Sequence, residues 1–142
     1  MLIGSLFLLI WFTGCCLGSF LMVIGTRVPI HQSIVFPSSH CTNCHHTLSI
    51  FELIPILSYL IQKGRCHDCQ QKISILYPLV ELFMGFAFLF IFSTYLSFPV
   101  EGLFITGIVA FGLIFIISDS YYQLLPNELM SLFFLWVFLG RL

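Results

Sequence analysis

The chain has 142 residues, of which 59% are hydrophobic and only 8% charged, and its net charge is -1. A soluble domain carries roughly a quarter charged residues, so this chain lacks the polar side chains to cover a water-facing surface and belongs in lipid. Its length suits one small membrane domain with a loop, not two soluble domains, and no basic patch offers itself to nucleic acid.

Residues 1–24 carry no charge. The run is longer than the roughly 7–15 residues of a signal-peptide core, and it has neither a basic leading region nor a small-residue cleavage site. It is read as a retained transmembrane helix, with a cleaved signal as the alternative. Gly14 and Gly18 in this segment permit close contact with another helix. Cys15 and Cys16 read as small apolar packing residues.

The long loop over residues 26–72 follows. It holds Arg27, Lys63, Arg65 and Lys72, four of the five Lys and Arg in the chain. The positive-inside rule places this loop in the cytoplasm and the N-terminus outside. Inside the loop, "FELIPILSYLI" (residues 51–61) is apolar but too short to span. It is expected to lie on the membrane surface or to pack on the helices.

Three more apolar segments complete the chain: 73–98, interrupted only by Glu81, then 102–118, then 127 to the end. Pro99 and Glu101 mark a tight turn between the first two. Asp119 then emerges on the same face as the loop. Residues 127–142 make roughly 24 Å of helix against a hydrocarbon core of about 30 Å. The fourth helix is therefore expected to be incomplete, Arg141 to snorkel, and the chain to be truncated. The expected fold is an all-α integral membrane protein with about four transmembrane helices and a cytoplasmic zinc-binding loop between helices 1 and 2.

The zinc expectation rests on Cys41, Cys44, Cys66 and Cys69, two Cys-x2-Cys pairs with residues 45–65 between them. Two such knuckles aimed at one point give a tetrahedron of thiolates, which suits Zn²⁺; the intervening length lies just past the usual window, and loops grow at little cost. A redox dithiol or free thiols are the alternatives, and disulfides need an oxidising compartment that the charge count argues against. A four-cysteine shell is closed, so the metal is structural. His40, His45, His46 and His67 crowd the knuckles but read as exposed loop residues, since four thiolates already fill the shell.

Ionisable groups in or near lipid are functional candidates, which singles out Asp119 and Glu81. An Asp at a helix C-terminus faces the unfavourable end of the dipole, so Asp119 is not there as a cap. One carboxylate does not make an aspartyl protease, which needs two sharing a proton. Among Glu52, Asp68, Glu81, Glu101 and Glu128, none has an obvious claim to be the partner, and Glu101 lies at the wrong side.

Taken in order, "GSFLMVIGTRVP" (18–29), the two knuckles, "IPILSYLIQKGRCHDC" (54–69), "YPLVELFMG" (77–85) and "SDSYYQLLPN" (118–127) resemble the type IV prepilin peptidases, most of all their Gram-positive competence-type branch. These are bacterial membrane enzymes that cut prepilin leaders and N-methylate the new N-terminus. The resemblance implies that Asp119 is the first catalytic aspartate and that the four cysteines are zinc ligands. Glu81 matches an acidic position of the family. Met22 stands where many members have Asn, and Asn127 where many have Asp. The family's second catalytic Asp lies in a GxGD-type motif on a later helix, and nothing here matches it.

The expectation is therefore a membrane aspartyl leader peptidase and S-adenosylmethionine-dependent N-methyltransferase of the bacterial plasma membrane, serving pilus or pseudopilus assembly or type II secretion. Residues 1–98 form its N-terminal domain, and residues 99–142 begin an incomplete peptidase domain. Its partners are a prepilin-like substrate in the membrane and the lipid bilayer, with no nucleic acid. Lacking the second Asp, the chain by itself is expected not to cleave. The alternatives are a non-catalytic zinc-loop assembly protein and a membrane thiol oxidoreductase.

Overall fold

Hydrocarbon offers backbone groups no partners, so long apolar stretches must close their hydrogen bonds within helices. The computed structural model describes residues 2–140, and they do so. In chain order the helices are α1 (Leu2–Arg27), α2 (Leu57–Ile61), α3 (Leu76–Thr94), α4 (Pro99–Tyr122) and α5 (Asn127–Leu139). Two 3-10 turns, Val28–Ile30 and Ile50–Leu53, punctuate the long connection between α1 and α3. Among the described residues there is no strand, only two isolated bridges in that connection. Three helical segments are long and apolar enough to cross a membrane: Gly4–Ile30, Leu76–Thr94 and Pro99–Tyr122. The fourth apolar segment, α5, is shorter, roughly 20 Å at 1.5 Å per residue. Arg141, expected to snorkel, lies outside the described residues.

The third span is longer than expected at both ends. Pro99 and Glu101 belong to its first turn and not to the preceding turn. Proline suits that position because the missing N–H is one that a helix start leaves unpaired anyway. Glu101 there meets the positive end of the helix dipole. The turn itself falls just before, with the Phe98 N–H donating to the Tyr95 carbonyl at 3.0 Å. At its other end α4 runs past Asp119 to Tyr122, where Gln123 takes a left-handed conformation (φ 53°) and donates its N–H to the Asp119 carbonyl.

Small residues set how the helices meet. A Cβ on Gly14 would lie 2.8 Å from the Gly85 Cα, and one on Gly18 would lie 2.9 Å from the Glu81 Cα. A Cβ on Gly85 would meet the Cys15 Sγ at 2.5 Å. The backbones of α1 and α3 therefore touch along a seam of glycines spaced one helical turn apart, as the sequence suggested for Gly14 and Gly18. Cys15 is fully buried in this seam, whereas Cys16 is exposed. Neighbouring residues diverge by about 100° on a helix, so only one of the pair can face α3. Next to the seam, Met22, Met84, Leu113, Ile114, Ile117 and Leu129 join α1, α3, α4 and α5 in one apolar cluster. Met22 is thus core. On the far side of α4, the Trp136 indole N–H donates to the Phe104 carbonyl at 3.2 Å and holds α5 in place.

One tie fixes which ends coincide. The Tyr122 hydroxyl donates to the Thr26 carbonyl at 2.8 Å. The C-terminal ends of α1 and α4 therefore share one end of the bundle with the long connection, and Glu101 sits at the other.

Replacing Gly85 with Val should force α1 and α3 apart. Overpacking of this kind costs about 1–3 kcal/mol, so the unfolding midpoint in detergent should fall by several degrees. Gly112→Ala, whose Cβ would meet nothing within 4 Å, should leave it unchanged or raise it.

Candidate metal centre and membrane-end carboxylates

Each Cys-x2-Cys pair folds into the same small loop. In the first, the Cys41 N–H donates to the His46 carbonyl and the His45 N–H to the Cys41 carbonyl. In the second, Cys66 pairs with Gln71, and Gln70 with Cys66, in the same pattern. His45 and Gln70 each take a left-handed φ of 59° at equivalent places. This turn brings backbone N–H groups towards the sulfurs, and isolated bridges (His40 with Thr47, Arg65 with Lys72) close each loop at its base.

The two loops face each other. Cys41 Sγ lies 3.7 Å from Cys69 Sγ, and Cys44 Sγ lies 3.8 Å from Cys66 Sγ. All four sulfurs fall within 4.8 Å of one another. A tetrahedron with Zn–S bonds of 2.3 Å has edges of about 3.8 Å, so the set has the size of one zinc shell. A disulfide needs about 2.05 Å.

Protonation across the set is uneven. The Asn43 side chain, followed by the Gln71 backbone N–H, pulls the Cys69 thiol down to about 6. The N–H groups of Cys44 and Asn43 also lower Cys41. At Cys44 the His46 N–H acts in the same direction, but desolvation and the neighbouring sulfurs outweigh it and push the thiol up to about 12. Crowded thiolates repel, and a divalent cation at their centre resolves that conflict.

No histidine belongs to the sulfur set, in keeping with the sequence reading, but His46 is more than an exposed loop residue. Its Nε2 lies 3.3 Å from Glu52 Oε2 and its Nδ1 2.9 Å from Asp68 Oδ2. It thereby braces the first knuckle against the second. Glu52 is itself held by the N–H and hydroxyl of Ser49, both at 2.8 Å, in a capping box at the start of Ile50–Leu53. The Ser-x-x-Glu spacing of Ser49 and Glu52 was the available signal for that brace. His40 stacks on His45, and His67 is largely exposed beside Asp68.

The apolar stretch over residues 51–61 buries Pro55 and half-buries Ile54, Ile56 and Tyr59, while its other apolar side chains are exposed. The Ile56 N–H donates to Glu81 Oε2 at 2.7 Å. Ile56 has φ 64° and ψ -51°, and the Leu57 N–H closes back on the Pro55 carbonyl at 2.6 Å. This is a γ-turn of the rare positive-φ kind, strained for a β-branched residue. Glu81 is only 6% exposed, and the Ser19 hydroxyl also reaches it. The membrane carboxylate therefore latches the connecting loop to α3, a role invisible in the sequence because its partner is a backbone group distant along the chain. By contrast, Ile50, Phe51, Leu60 and Ile61 stand well exposed.

Asp119 is exposed in the last turn of α4, at the same end as the cysteine loop. Among the described residues its carboxylate has no hydrogen-bond or ion-pair partner. Glu128, on the first turn of α5, lies 3.9 Å from His31. The structure brings neither it nor any other described acid into contact with Asp119.

The Ser49 backbone N–H, first among its partners, holds the Glu52 carboxyl below its ordinary range. The stability it contributes is present in full above about pH 4.3 and is lost as the pH falls through the lower folded value. Glu52→Gln should therefore speed proteolysis of the cysteine loop at neutral pH. The difference from the parent should shrink in acid, as read by pepsin cleavage near pH 3.

Residues 12–95 match the family model for the Bacterial Peptidase A24 N-terminal domain. Over 131 residues the chain is 37% identical to the prepilin leader peptidase/N-methyltransferase of Bacillus subtilis (strain 168), covering 91% of this chain and 52% of that protein. It is 50% identical over 86 residues to the enzyme of that name from Myxococcus xanthus (strain DK1622), covering 60% and 26%. It is 44% identical over 94 residues to a type 4 prepilin-like proteins leader peptide-processing enzyme of Escherichia coli O78:H11, covering 54% and 35%. The chain thus spans about half the length of these relatives or less. No solved structure matches it. On the strength of the matched domain, which takes in both cysteine knuckles and the glycine seam, the chain belongs to the type IV prepilin peptidase family.

Proposed function

We propose that the chain is the zinc-bearing part of a membrane leader peptidase that processes prepilin-like precursors at the cytoplasmic face and takes part in N-methylating the new N-terminus. The observation that carries this reading is one juxtaposition: a four-sulfur cluster and an unpartnered Asp119 at the same end of a bundle with three candidate spans.

Cys41, Cys44, Cys66 and Cys69 hold a structural Zn²⁺. Their spacing fits its shell, and with four thiolates no position is left for substrate. Such a site supplies on the order of 10–16 kcal/mol of folding free energy, which the loop needs because it has almost no core of its own. The basic residues of the loop favour the cytoplasmic side for it, and for Asp119 with it.

Asp119 supplies one carboxylate of the cleaving pair. As the general base it takes a proton from water, which attacks the scissile carbonyl at the end of the leader. A second carboxylic acid returns a proton to the leaving amine. We assign that second group to the stretch of the relatives this chain does not span, with residues 1–98 as the N-terminal domain and 99–142 as the start of the peptidase domain. The pilin precursor lies with its apolar helix in the bilayer, which brings its leader to this end of α4. S-adenosylmethionine supplies the methyl group when bound.

Zinc content, sidedness and cleavage test this. The purified chain should carry one zinc. Cys66→Ser should lower that content, and chelation should open residues 31–75 to protease while the apolar helices stay protected. Cysteines labelled only from the external face would reverse the sidedness and favour a thiol oxidoreductase. The chain alone should not cut a pilin precursor. Joined to the remaining half of the Bacillus subtilis relative it should cut, and Asp119→Asn should remove at least about 10³-fold of the rate, the size of loss that follows removal of a catalytic carboxylate.

A further inference from the structure

Between the cysteine loop and its end of the bundle lies a cavity of about 550 Å³. That is within the roughly 300–1,000 Å³ of sites for organic ligands. The loop, including Cys41 and Cys66, and the ends of α1, α3 and α4 share its wall, and Asp119 is not part of its lining. It is thus separate from the proposed cleaving carboxylate.

What lines it is informative. Four parts of the chain each send side chains to it: Arg27 from α1, Tyr59 from the loop, Tyr77 and Glu81 from α3, Tyr122 from α4. Neither the zinc site nor peptide cleavage accounts for that convergence. The chemistry is also mixed. Glu81, on the wall, accepts from the Ile56 N–H and the Ser19 hydroxyl. Tyrosine rings beside a carboxylate favour a cation through their π faces as well as its charge. Arg27 and Lys72 line the same space. Arg27 spends Nη1 on the Ser33 and Pro37 carbonyls, at 3.0 and 2.9 Å, which fixes the guanidinium in place while leaving it other N–H donors. Such a wall suits a small organic ligand with both a cationic and an anionic group. A polyanion would meet Glu81, and a neutral apolar molecule would strand the charges.

We propose that this cavity binds the methyl donor, a nucleoside sulfonium of the S-adenosylmethionine type, with Glu81 and the tyrosines facing its positive charge and Arg27 and Lys72 its carboxylate. This rests on the methyltransferase part of the reading above and adds the site.

The test is calorimetric titration of the zinc-loaded 142-residue chain in lipid nanodiscs with S-adenosylmethionine and with S-adenosylhomocysteine, which lacks the methyl group and the sulfonium charge. The sulfonium should saturate one site and bind about tenfold tighter than the thioether, as one cation–π and carboxylate contact allows. Glu81→Gln keeps an oxygen for the Ile56 N–H, and with zinc content unchanged it should erase that preference. Tyr77→Leu should weaken both ligands, and Glu101→Gln, at the far end of α4, neither. Saturable binding untouched by Glu81→Gln and Tyr77→Leu would overturn the assignment. So would no binding of S-adenosylmethionine, or capture there of a peptide's free N-terminal amine in its place. Cleavage that still depends on Asp119 would then leave the peptidase reading standing. Cleavage indifferent to Asp119, with the titration as expected, would do the reverse.

Discussion

The backbones of α1 and α3 touch because Gly14, Gly18 and Gly85 have no side chains to hold them apart. Lipid gives helices no hydrophobic reason to associate, so close packing of this kind has to supply the attraction. The consequence reaches beyond the bundle. The long connection leaves from the end of α1 and returns at the start of α3, so the seam fixes the distance between its two stems. The knuckles, the Glu81 latch and the cavity all inherit their positions from that spacing.

Much of this was legible in the residues, for physical reasons that differ from place to place. Apolar runs of about the length a bilayer needs read as spans, so α1, which carries no charge before Arg27, and α3, with Glu81 alone, were plain. The cysteine pairs were plain because metal chemistry demands particular spacings. The start of α4 was misjudged because Pro99 serves equally as a turn residue and as the first residue of a helix, and only the tertiary structure chooses. Cys15 and Cys16 looked alike until a neighbouring helix made one of them inside and the other outside. The glycine pair could be recognised as a contact, but its partner Gly85 could not be matched to it without knowing which helices are adjacent.

The hidden parts share a cause: each pairs groups that are remote in the chain or lack a side-chain signature. Glu81 was visible as an expensive charge in an apolar segment, yet what it holds is the amide of Ile56. His46 looked like one more histidine among several, yet it bridges Glu52 and Asp68 across the two knuckles. The cavity is assembled from the ends of three helices and the loop, and no single stretch announces it. Asp119, by contrast, could be singled out early because a carboxylate at the negative end of a helix has no local reason to be there.

The hydroxyl of Tyr122, closed on the Thr26 carbonyl, has a metrical consequence. It ties the tip of α4 to the root of the cysteine loop, which favours one height of Asp119 relative to that loop. A helical peptide sliding past such a frame climbs about 1.5 Å and turns about 100° with every residue. Under the proposed reading, the tie makes the protein a gauge, in which a preferred offset between landmark and blade selects one peptide bond and leaves its neighbours out of register.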